Sequence, residues 1–246
     1  MISLYDVIII GAGPSGLMTA IAVANNLKIL ILEKNNIAGK KMLLTGGGRC
    51  NLTNLKSNNV FLDVIEYNKK YLYSAINKFG PSEICNFFET NGVLLKEEKD
   101  NQIFPISDKA SSIVNFLVNS LDNVKINYNE FVTNIINNGK IKEIQTNKGE
   151  YFTSNIVIAT GGNSYQKTGS CGDHMKFAKM LKQPTISLYP AEVGIILEEE
   201  LDLAGTAVEN VEIIYKNYKK KDVTVFFYLI CAIIYCFLII YFCTVI

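Results

Sequence analysis

The sequence predicts an α/β protein with a parallel sheet, an attached β-meander and helices packed against the sheet. An apolar run at 5–10 has the composition of a parallel strand buried on both faces, and an amphipathic helix pattern follows a glycine loop. A second apolar run at 28–32 ends in Glu33. Between 124 and 158 the hydrophobic period shifts towards two, with Asn-Gly and Lys-Gly turn signals between short strands, which predicts the meander.

The glycine loop carries the first chemical signal. Residues 11–16 read Gly-Ala-Gly-Pro-Ser-Gly and fit G-x-G-x-x-G. In this motif the first glycine makes a tight turn, the second admits a pyrophosphate, and the third lets helix and strand pack closely. Amides at the helix N-terminus then hold the anion. Glu33 can accept hydrogen bonds from the adenosine ribose and would repel the 2′-phosphate of NADP. Residues 4–33 therefore predict a Rossmann-like dinucleotide-binding unit.

Composition excludes several classes of function. A chain of 246 residues is long enough for one large domain, or for one domain and part of a second. A net charge of +1 gives no electrostatic footprint for nucleic acid, so we predict no nucleic-acid partner. None of the six cysteines forms a C-x-x-C pair, and we predict no metal site. No secretory signal is recognisable, which predicts reduced thiols and a cytoplasmic body.

A second glycine-rich loop, at 39–54, is the more specific signal. It contains three consecutive glycines and the cations Lys40, Lys41 and Arg49, and such a loop can line a phosphate or a flavin ring. Arg49 is the single arginine among 24 basic residues. Its retention hints at a site that needs a planar, bidentate cation.

This loop, which reads GKKMLLTGGGRCNLTN, resembles a block of the BaiN/YhiN/HI0933-like flavoproteins, also described as the aminoacetone-oxidase family of NAD(P)/FAD-dependent oxidoreductases. The segments at 104–112 and 159–173 are similar to two further blocks of that family. The Ala-Thr-Gly-Gly element at 159–162, after the meander, also resembles flavoproteins of the glutathione-reductase type. The chain departs from the family pattern at Gln166, Cys171 and His174, where Pro, Thr and Gly are usual.

The resemblance implies an FAD-binding oxidoreductase that transfers hydride through the flavin, with NAD(P)H as a possible electron donor. The residues it places near the cofactor are Gly11, Gly13, Ser15, Gly16, Glu33, Lys34, Lys40, Thr45, Gly47, Arg49, Cys50, Asn51, Val132, Thr160 and Gly161. Within this set, Val132 would lie by the adenine. The substrate, a small molecule, is not identified, and neither is any catalytic residue. Four side chains are weaker candidates for a catalytic or substrate contact: His174, Cys50, Ser164 and Tyr165.

The C-terminal part of the sequence differs from the rest. We predict an FAD-binding domain at 1–188, the start of an inserted β domain at 189–218, and a basic stop followed by a hydrophobic tail at 219–246. The 24 uncharged residues at 223–246, at about 1.5 Å each in a helix, are long enough to span a bilayer core of about 30 Å, with the preceding lysines on the cytoplasmic side.

Two explanations of the tail are open: a C-terminal apolar helix that contacts or anchors in a membrane, or a segment translated out of frame. Both fit a family member that is truncated and catalytically impaired. The alternative function is a membrane-tethered nucleotide-binding fragment without catalytic activity.

Overall fold

The structure is a computed structural model that describes residues 4–24, 26–63, 65, 68–188, 207–215 and 218–226. These residues belong to two units, one that runs to Ile186 and one that begins at Ser187. In the first unit the strands are β1 (Leu4–Ile10), β2 (Ile29–Leu32), β3 (Thr53–Asn54), β4 (Leu95–Glu97), β5 (Gln102–Pro105), β6 (Val124–Asn127), β7 (Val132–Asn138), β8 (Ile141–Thr146) and β9 (Glu150–Ile158). Its α-helices are α1 (Pro14–Val23), α2 (Asn58–Asp63), α3 (Tyr73–Lys78), α4 (Pro81–Thr90), α5 (Ala110–Asn119) and α6 (Asp173–Met180), and 3₁₀ turns lie at Met42–Gly48, Lys69–Leu72, Lys99–Asn101 and Gln166–Thr168.

A six-stranded sheet in the order β6-β2-β1-β9-β8-β7 forms the centre of the first unit. β1 pairs in parallel with β2 on one side and with β9 on the other, while β7, β8 and β9 pair in antiparallel fashion. The predicted Rossmann-like parallel sheet with a meander is therefore confirmed. The meander ends in β9, whose Ile156 lies opposite Ile8 of β1, so the chain returns beside its first strand.

One strand was assigned to the wrong part of this sheet. The period-two pattern from Val124 predicts a strand of the meander, but β6 instead pairs in parallel with β2, with Ile126 opposite Ile31. The helix α5 comes directly before β6, and a helical crossover returns the chain in the same direction as the strand before it.

The alternation along β1 divides the core between the two faces of the sheet. Ile9 packs on one face with Leu17 of α1 and Ile113 of α5. Ile8 packs on the other face with residues of the meander and with Phe177 of α6. Both faces of β1 are thus covered, as the continuous β-branched run of this strand predicts.

A second, three-stranded antiparallel sheet has the order β3-β5-β4. The Gly80-Pro81 sequence is typical of a helix start, and α4 begins there, with Pro81 in its first turn and the amide of Gly80 donating to the Glu83 carboxylate over 2.9 Å. Ser107 and Asp108 are residue types that predict a cap for α5, but this prediction is wrong, because the helix begins after Lys109 without a side-chain cap.

Asp173 likewise lies in the first turn of α6 instead of capping it, and Gly172 takes the cap position in a left-handed conformation. The carboxylates of Asp108 and Asp173 bind lysine side chains from distant segments. At both positions the aspartate carboxylate therefore forms an ion pair with a lysine from another segment instead of a hydrogen bond to the first amides of the helix.

The second unit contains the strands β10 (Ala207–Tyr215) and β11 (Tyr218–Phe226), which form an antiparallel hairpin. Residues 219–226 lie in β11, so the predicted apolar helix finds no support over 223–226. The sequence there has aromatic and β-branched residues, which favour a strand. Among the described residues no helix is both long and apolar enough to cross a membrane. The rest of the proposed tail, 227–246, lies outside the described residues, so its membrane contact stays a prediction.

We expect Gly16→Ala to destabilise the fold. A Cβ at this position would overlap the carbonyl oxygen of Gly11 and lie 3.2 Å from the side chain of Ile9, so the helix must move away from the strand. Overpacking of this kind costs about 1–3 kcal/mol of unfolding free energy, measurable by urea denaturation. Gly149→Ala is the matched control, because a Cβ there meets no atom within 4 Å. Equal stability of the two variants would contradict the close packing described above.

Candidate nucleotide-binding site

A pocket lies where β1, β2 and β9 end at their carboxyl edges. Five segments line it: the glycine loop after β1, the end of β2, the start of the second glycine loop, the residues before β7, and the segment that follows β9. The lining includes nine of the predicted site residues: Gly11, Gly13, Ser15, Glu33, Lys34, Lys40, Val132, Thr160 and Gly161. Ligands of open α/β sheets bind at this edge.

The first glycine loop has the geometry that the motif predicts. Gly11 has a φ of +108°, and a Cβ there would overlap the backbone of Ala159. Gly13 caps α1 in an extended conformation, and a Cβ there would meet no atom within 4 Å. Gly13 therefore faces open space. The first turn of α1 contains no acidic residue, so the positive end of the helix dipole is left for an anion in the pocket.

Glu33 binds the glycine loop directly. Its side chain is only 6% exposed, and its Oε2 accepts a hydrogen bond from the amide of Ala12 over 2.7 Å. Its Oε1 accepts from both the amide and the side-chain Nδ2 of Asn35, each over 2.7 Å. A carboxylate has about four lone-pair positions, so these three bonds leave room for a hydroxyl donor such as a ribose.

Lys34 connects the end of β2 to α6. Its Nζ lies 2.6 Å from Oδ2 of Asp173. Burial lowers the pKa of Lys34, but the hydrogen bond and the charge of Asp173 outweigh it, and the net pKa is raised above the ordinary value. Lys34 therefore stays charged at neutral pH, at the edge of the pocket.

The pocket also contains a polar atom without a partner among the described residues. Thr160 Oγ1 is buried, and none of those residues forms a hydrogen bond with it. A buried hydroxyl in this state costs free energy until a donor or acceptor reaches it. Thr160 follows β9 at the point where the chain passes the glycine loop, so a ligand in the pocket is the available partner.

The second glycine loop folds against the three-stranded sheet. Gly46, Gly47 and Gly48 all have positive φ angles, of 57°, 65° and 86°. A Cβ at Gly46 would lie 2.7 Å from the amide nitrogen of Asn51 and 2.9 Å from the ring of Phe104. These glycines permit a compact turn that other residues would strain.

Arg49, which is predicted to lie near the cofactor, belongs to an ion cluster within the protein. Its Nη1 lies 2.9 Å and 3.1 Å from the two carboxylate oxygens of Glu98 and 3.2 Å from Oδ1 of Asp108. Lys96 completes the cluster at 3.1 Å from Glu98 and 2.7 Å from Asp108. The guanidinium also lies 4.1 Å from the centroid of the Phe104 ring. The planar cation to which the sequence pointed is therefore present, and its observed partners are the carboxylates of Glu98 and Asp108.

Six predicted site residues do not line the pocket: Gly16, Thr45, Gly47, Arg49, Cys50 and Asn51. The Thr45 hydroxyl donates to the carbonyl of Met42 over 2.8 Å, and Cys50 is fully buried with a φ of +65°. Asn51 Oδ1 is buried without a hydrogen-bond partner. Gly16 lies beneath the loop, against the Gly11 carbonyl. Their nearness to a cofactor stays a prediction.

The side chains considered as weaker catalytic candidates have different surroundings. His174 is in the first turn of α6, and its buried Nδ1 has no hydrogen-bond partner. Lys41 Nζ donates to the backbone carbonyl of Ser164 over 2.8 Å and lies 6.0 Å from the ring centroid of Tyr165. Within the described residues no group of His, Cys, Asp and Glu side chains could hold a metal ion.

Sequence reasoning missed several residues of the lining, among them Asn35 and Glu130. Glu130 is 3% exposed and accepts a hydrogen bond from the Thr146 hydroxyl over 2.7 Å. Burial, followed by the hydrogen bond and charge of Glu130, raises the pKa of Tyr151 to about 12. Asn35 could have been noticed because it follows Glu33 by two residues, but nothing in the sequence shows that its side chain turns back towards the acid.

The parallel sheet, the glycine loop at the end of its central strand and the acid at the end of the next strand define a Rossmann-type α/β protein. The chain belongs to a specific family within that class. Residues 5–228 match the family described as HI0933-like protein Rossmann domain. The resemblance drawn from the second glycine loop is therefore confirmed.

Three relatives show the range of names in this family. A 3-dehydro-bile acid delta(4,6)-reductase of Clostridium scindens is 31% identical over 76% of this chain and 46% of its own length. A ribosomal RNA dihydrouridine synthase of Escherichia coli is 29% identical over 84% of this chain and 53% of its own. One of the same name from Haemophilus influenzae is 28% identical over 73% and 46%. The chain thus spans about half the length of these relatives.

We expect Arg49→Met to remove a contribution to stability that depends on pH. The hydrogen bond from Arg49, and then that from Lys96, lowers the pKa of Glu98, and Lys96 and Arg49 likewise lower the pKa of Asp108. Groups with a lowered folded-state pKa stabilise the protein above their unfolded pKa, about 4, and lose this effect as the pH falls through the folded value.

The wild-type protein should therefore unfold at a higher temperature than Arg49→Met at pH 7, and the two curves should converge between about pH 4 and pH 2. Thermal unfolding monitored by circular dichroism measures this. Lys99→Arg, at an exposed position outside the cluster, is the control and should follow the wild type. A gap that stays constant down to pH 2 would mean that the carboxylates do not sense Arg49.

Proposed function

We propose that this chain binds FAD, with the adenosine and pyrophosphate in the pocket at the ends of β1, β2 and β9, and that it acts as a FAD-dependent oxidoreductase. The observation that carries the proposal is the combination in one pocket of an open glycine loop, a buried acid with spare acceptor capacity, and a buried hydroxyl without a partner. Membership of the HI0933-like family supports it.

The pocket residues fit the chemical parts of a dinucleotide one by one. The amides at the start of α1 suit the pyrophosphate because a Cβ at Gly13, beside them, would meet no atom of the described residues within 4 Å. Glu33 suits the ribose hydroxyls, and Thr160 offers a hydroxyl to a polar atom of the ligand. Val132, 7% exposed, provides an apolar surface for the adenine.

The charges of the pocket suit the same ligand. Lys40 and Lys34 lie on the lining and compensate part of the pyrophosphate charge. Glu33 would repel a ribose 2′-phosphate, so within this pocket the proposal favours FAD over NADP. When bound, FAD supplies hydride transfer, and NAD(P)H is the proposed electron donor.

From the names of the relatives we propose that the reaction is a reduction. One is named a delta(4,6)-reductase and two are named dihydrouridine synthases, and both names describe products that have gained hydrogen. We propose that this chain, too, serves the reduction of an unsaturated substrate. Because the chain covers about half of each relative, the activity of the whole protein belongs to the proposal and not to the family match.

The test of FAD binding uses a glycine that can be changed without disturbing the fold. We expect Gly13→Val to lower FAD affinity at least tenfold, because its side chain would enter the space left for the pyrophosphate, while the unfolding temperature stays near that of the wild type. Gly149→Val is the matched control, with equally open surroundings in the hairpin after β8. Quenching of flavin fluorescence on titration measures the affinity. A wild-type chain that binds no FAD, or a Gly13→Val variant that binds it as well as the wild type, would overturn the proposal.

The substrate class needs a separate experiment, since two relatives have ribosomal RNA in their names. The net charge of +1 predicts a small molecule, because a nearly neutral protein releases few counterions from RNA. We expect the FAD-loaded chain to show no retention of ribosomal RNA on filters at 150 mM salt, with reduction of a small unsaturated carbonyl compound by NADH as the positive readout. RNA retention that falls steeply with rising salt would overturn the prediction of no nucleic-acid partner.

A further inference from the structure

We propose that Asn35 is a positioning residue that holds Glu33 in the orientation needed to bind the ribose of an adenine nucleotide. The inference rests on the proposed function, because it assigns a role within the same pocket. Asn35 lies on the pocket lining two residues after Glu33. It acts through the carboxylate of Glu33 and needs no contact of its own with the ligand.

Asn35 makes two bonds to a single oxygen atom. Its backbone amide and its side-chain Nδ2 both donate to Oε1 of Glu33, each over 2.7 Å. The other oxygen, Oε2, is held by the amide of Ala12 over 2.7 Å. With both oxygens bound from different directions, the carboxylate plane cannot rotate, and its remaining lone pairs keep a fixed direction.

The rest of the Asn35 side chain is held by two other segments of the pocket. Nδ2 also donates to the carbonyl of Thr168 over 3.1 Å, and Oδ1 accepts from Nζ of Lys40 over 3.3 Å. The packing there is close, because a Cβ at Gly169 would lie 2.7 Å from Nδ2. Asn35 thus connects the acid after β2 to the second glycine loop and to the turn before α6.

The chemistry of these partners fixes which way the amide faces. Glu33 and the Thr168 carbonyl are acceptors, while Lys40 is a donor with no acceptor capacity. Turning the amide over would place Oδ1 against the carboxylate and the NH₂ group against the ammonium. An aspartate has the same shape as asparagine but cannot donate to Glu33, so Asn35→Asp separates shape from hydrogen bonding.

The role predicts a specific loss on substitution. Without the Nδ2 donor, Oε1 of Glu33 keeps one hydrogen bond instead of two, so the carboxylate is held less firmly in the direction of the ribose. Binding of a nucleotide with ribose hydroxyls should then weaken, whereas binding of one that lacks them should change little. A general loosening of the pocket would weaken both to the same extent.

The experiment compares the affinities of the full chain for ADP and for 2′,3′-dideoxy-ADP by isothermal titration calorimetry. We expect the wild type to prefer ADP about tenfold, the order that one hydrogen bond to a charged group contributes. Asn35→Ala and Asn35→Asp should reduce the preference to about twofold or less, as should Glu33→Gln. Asn36→Ala, at the exposed neighbouring position, is the matched control and should keep the wild-type ratio.

The outcomes separate the inference from the function on which it rests. If both Asn35 variants keep the tenfold ratio, the positioning role is wrong while nucleotide binding stands. If the wild type binds both nucleotides equally, Glu33 does not contact the ribose, and the inference is wrong for that reason. If the wild type binds neither ADP nor FAD, the proposed function itself fails. Thermal unfolding of each variant shows whether an Asn35 substitution damages the fold, in which case the Asp variant decides.

Discussion

The close approach of separate backbones at the carboxyl end of β1 is the constraint on which the rest of the structure depends. Gly11 leaves no room for a side chain against Ala159, and Gly16 leaves none against the carbonyl of Gly11. The loop between them is bound to the next strand through the Glu33 carboxylate. Because β1 lies between β2 and β9, this contact brings the ends of three parallel strands together and creates the pocket. The fold and the site thus rely on the same glycines.

Contacts within the protein hold the rim of this pocket in place before any ligand binds. The amide of Gly39 donates to the carbonyl of Ala12 over 2.8 Å, which joins the two glycine loops. Lys34 binds Asp173 on α6, and Asn35 bridges to the turn at Thr168. Since a ligand loses affinity when it must order the loops that bind it, a rim joined in this way would favour tight binding of the proposed nucleotide. The open face over Gly13 and the unpartnered Thr160 hydroxyl are left for the ligand.

Local patterns in the sequence were sufficient for much of the fold. The buried run of β1, the glycine motif, the Asn-Gly turn after β7 and the Gly-Pro start of α4 each act over a few residues, and the structure confirms each of them. The predictions failed where a segment could adopt either of two local arrangements and contacts with distant residues determine which one forms. β6 belongs to the parallel part of the sheet because β2 is available as its neighbour. Asp108 leaves the start of α5 because Lys96 and Arg49 offer it stronger partners than a helix amide.

The same limit of sequence analysis applies more strongly to the site. The sequence indicates which residue types belong to it, but not which groups their side chains bind. The single arginine indicated a need for a planar cation, and the glycine loop suggested a cofactor as its partner. Its carboxylate partners are 49 and 59 residues away in the sequence, just after β4 and β5, and no local pattern reveals how these strands pair. Lys34 and Asp173 are 139 residues apart. The sequence could place Glu33 in the pocket because it lies at a fixed distance from the glycine motif, whereas the partners of Arg49 and Asn35 depend on how the loops fold back. An ionic residue in a glycine-rich loop therefore has two candidate partners, the ligand and the protein itself. For Arg49 the contact of Nη1 with both carboxylate oxygens of Glu98 and the position of the guanidinium over the Phe104 ring favour the protein.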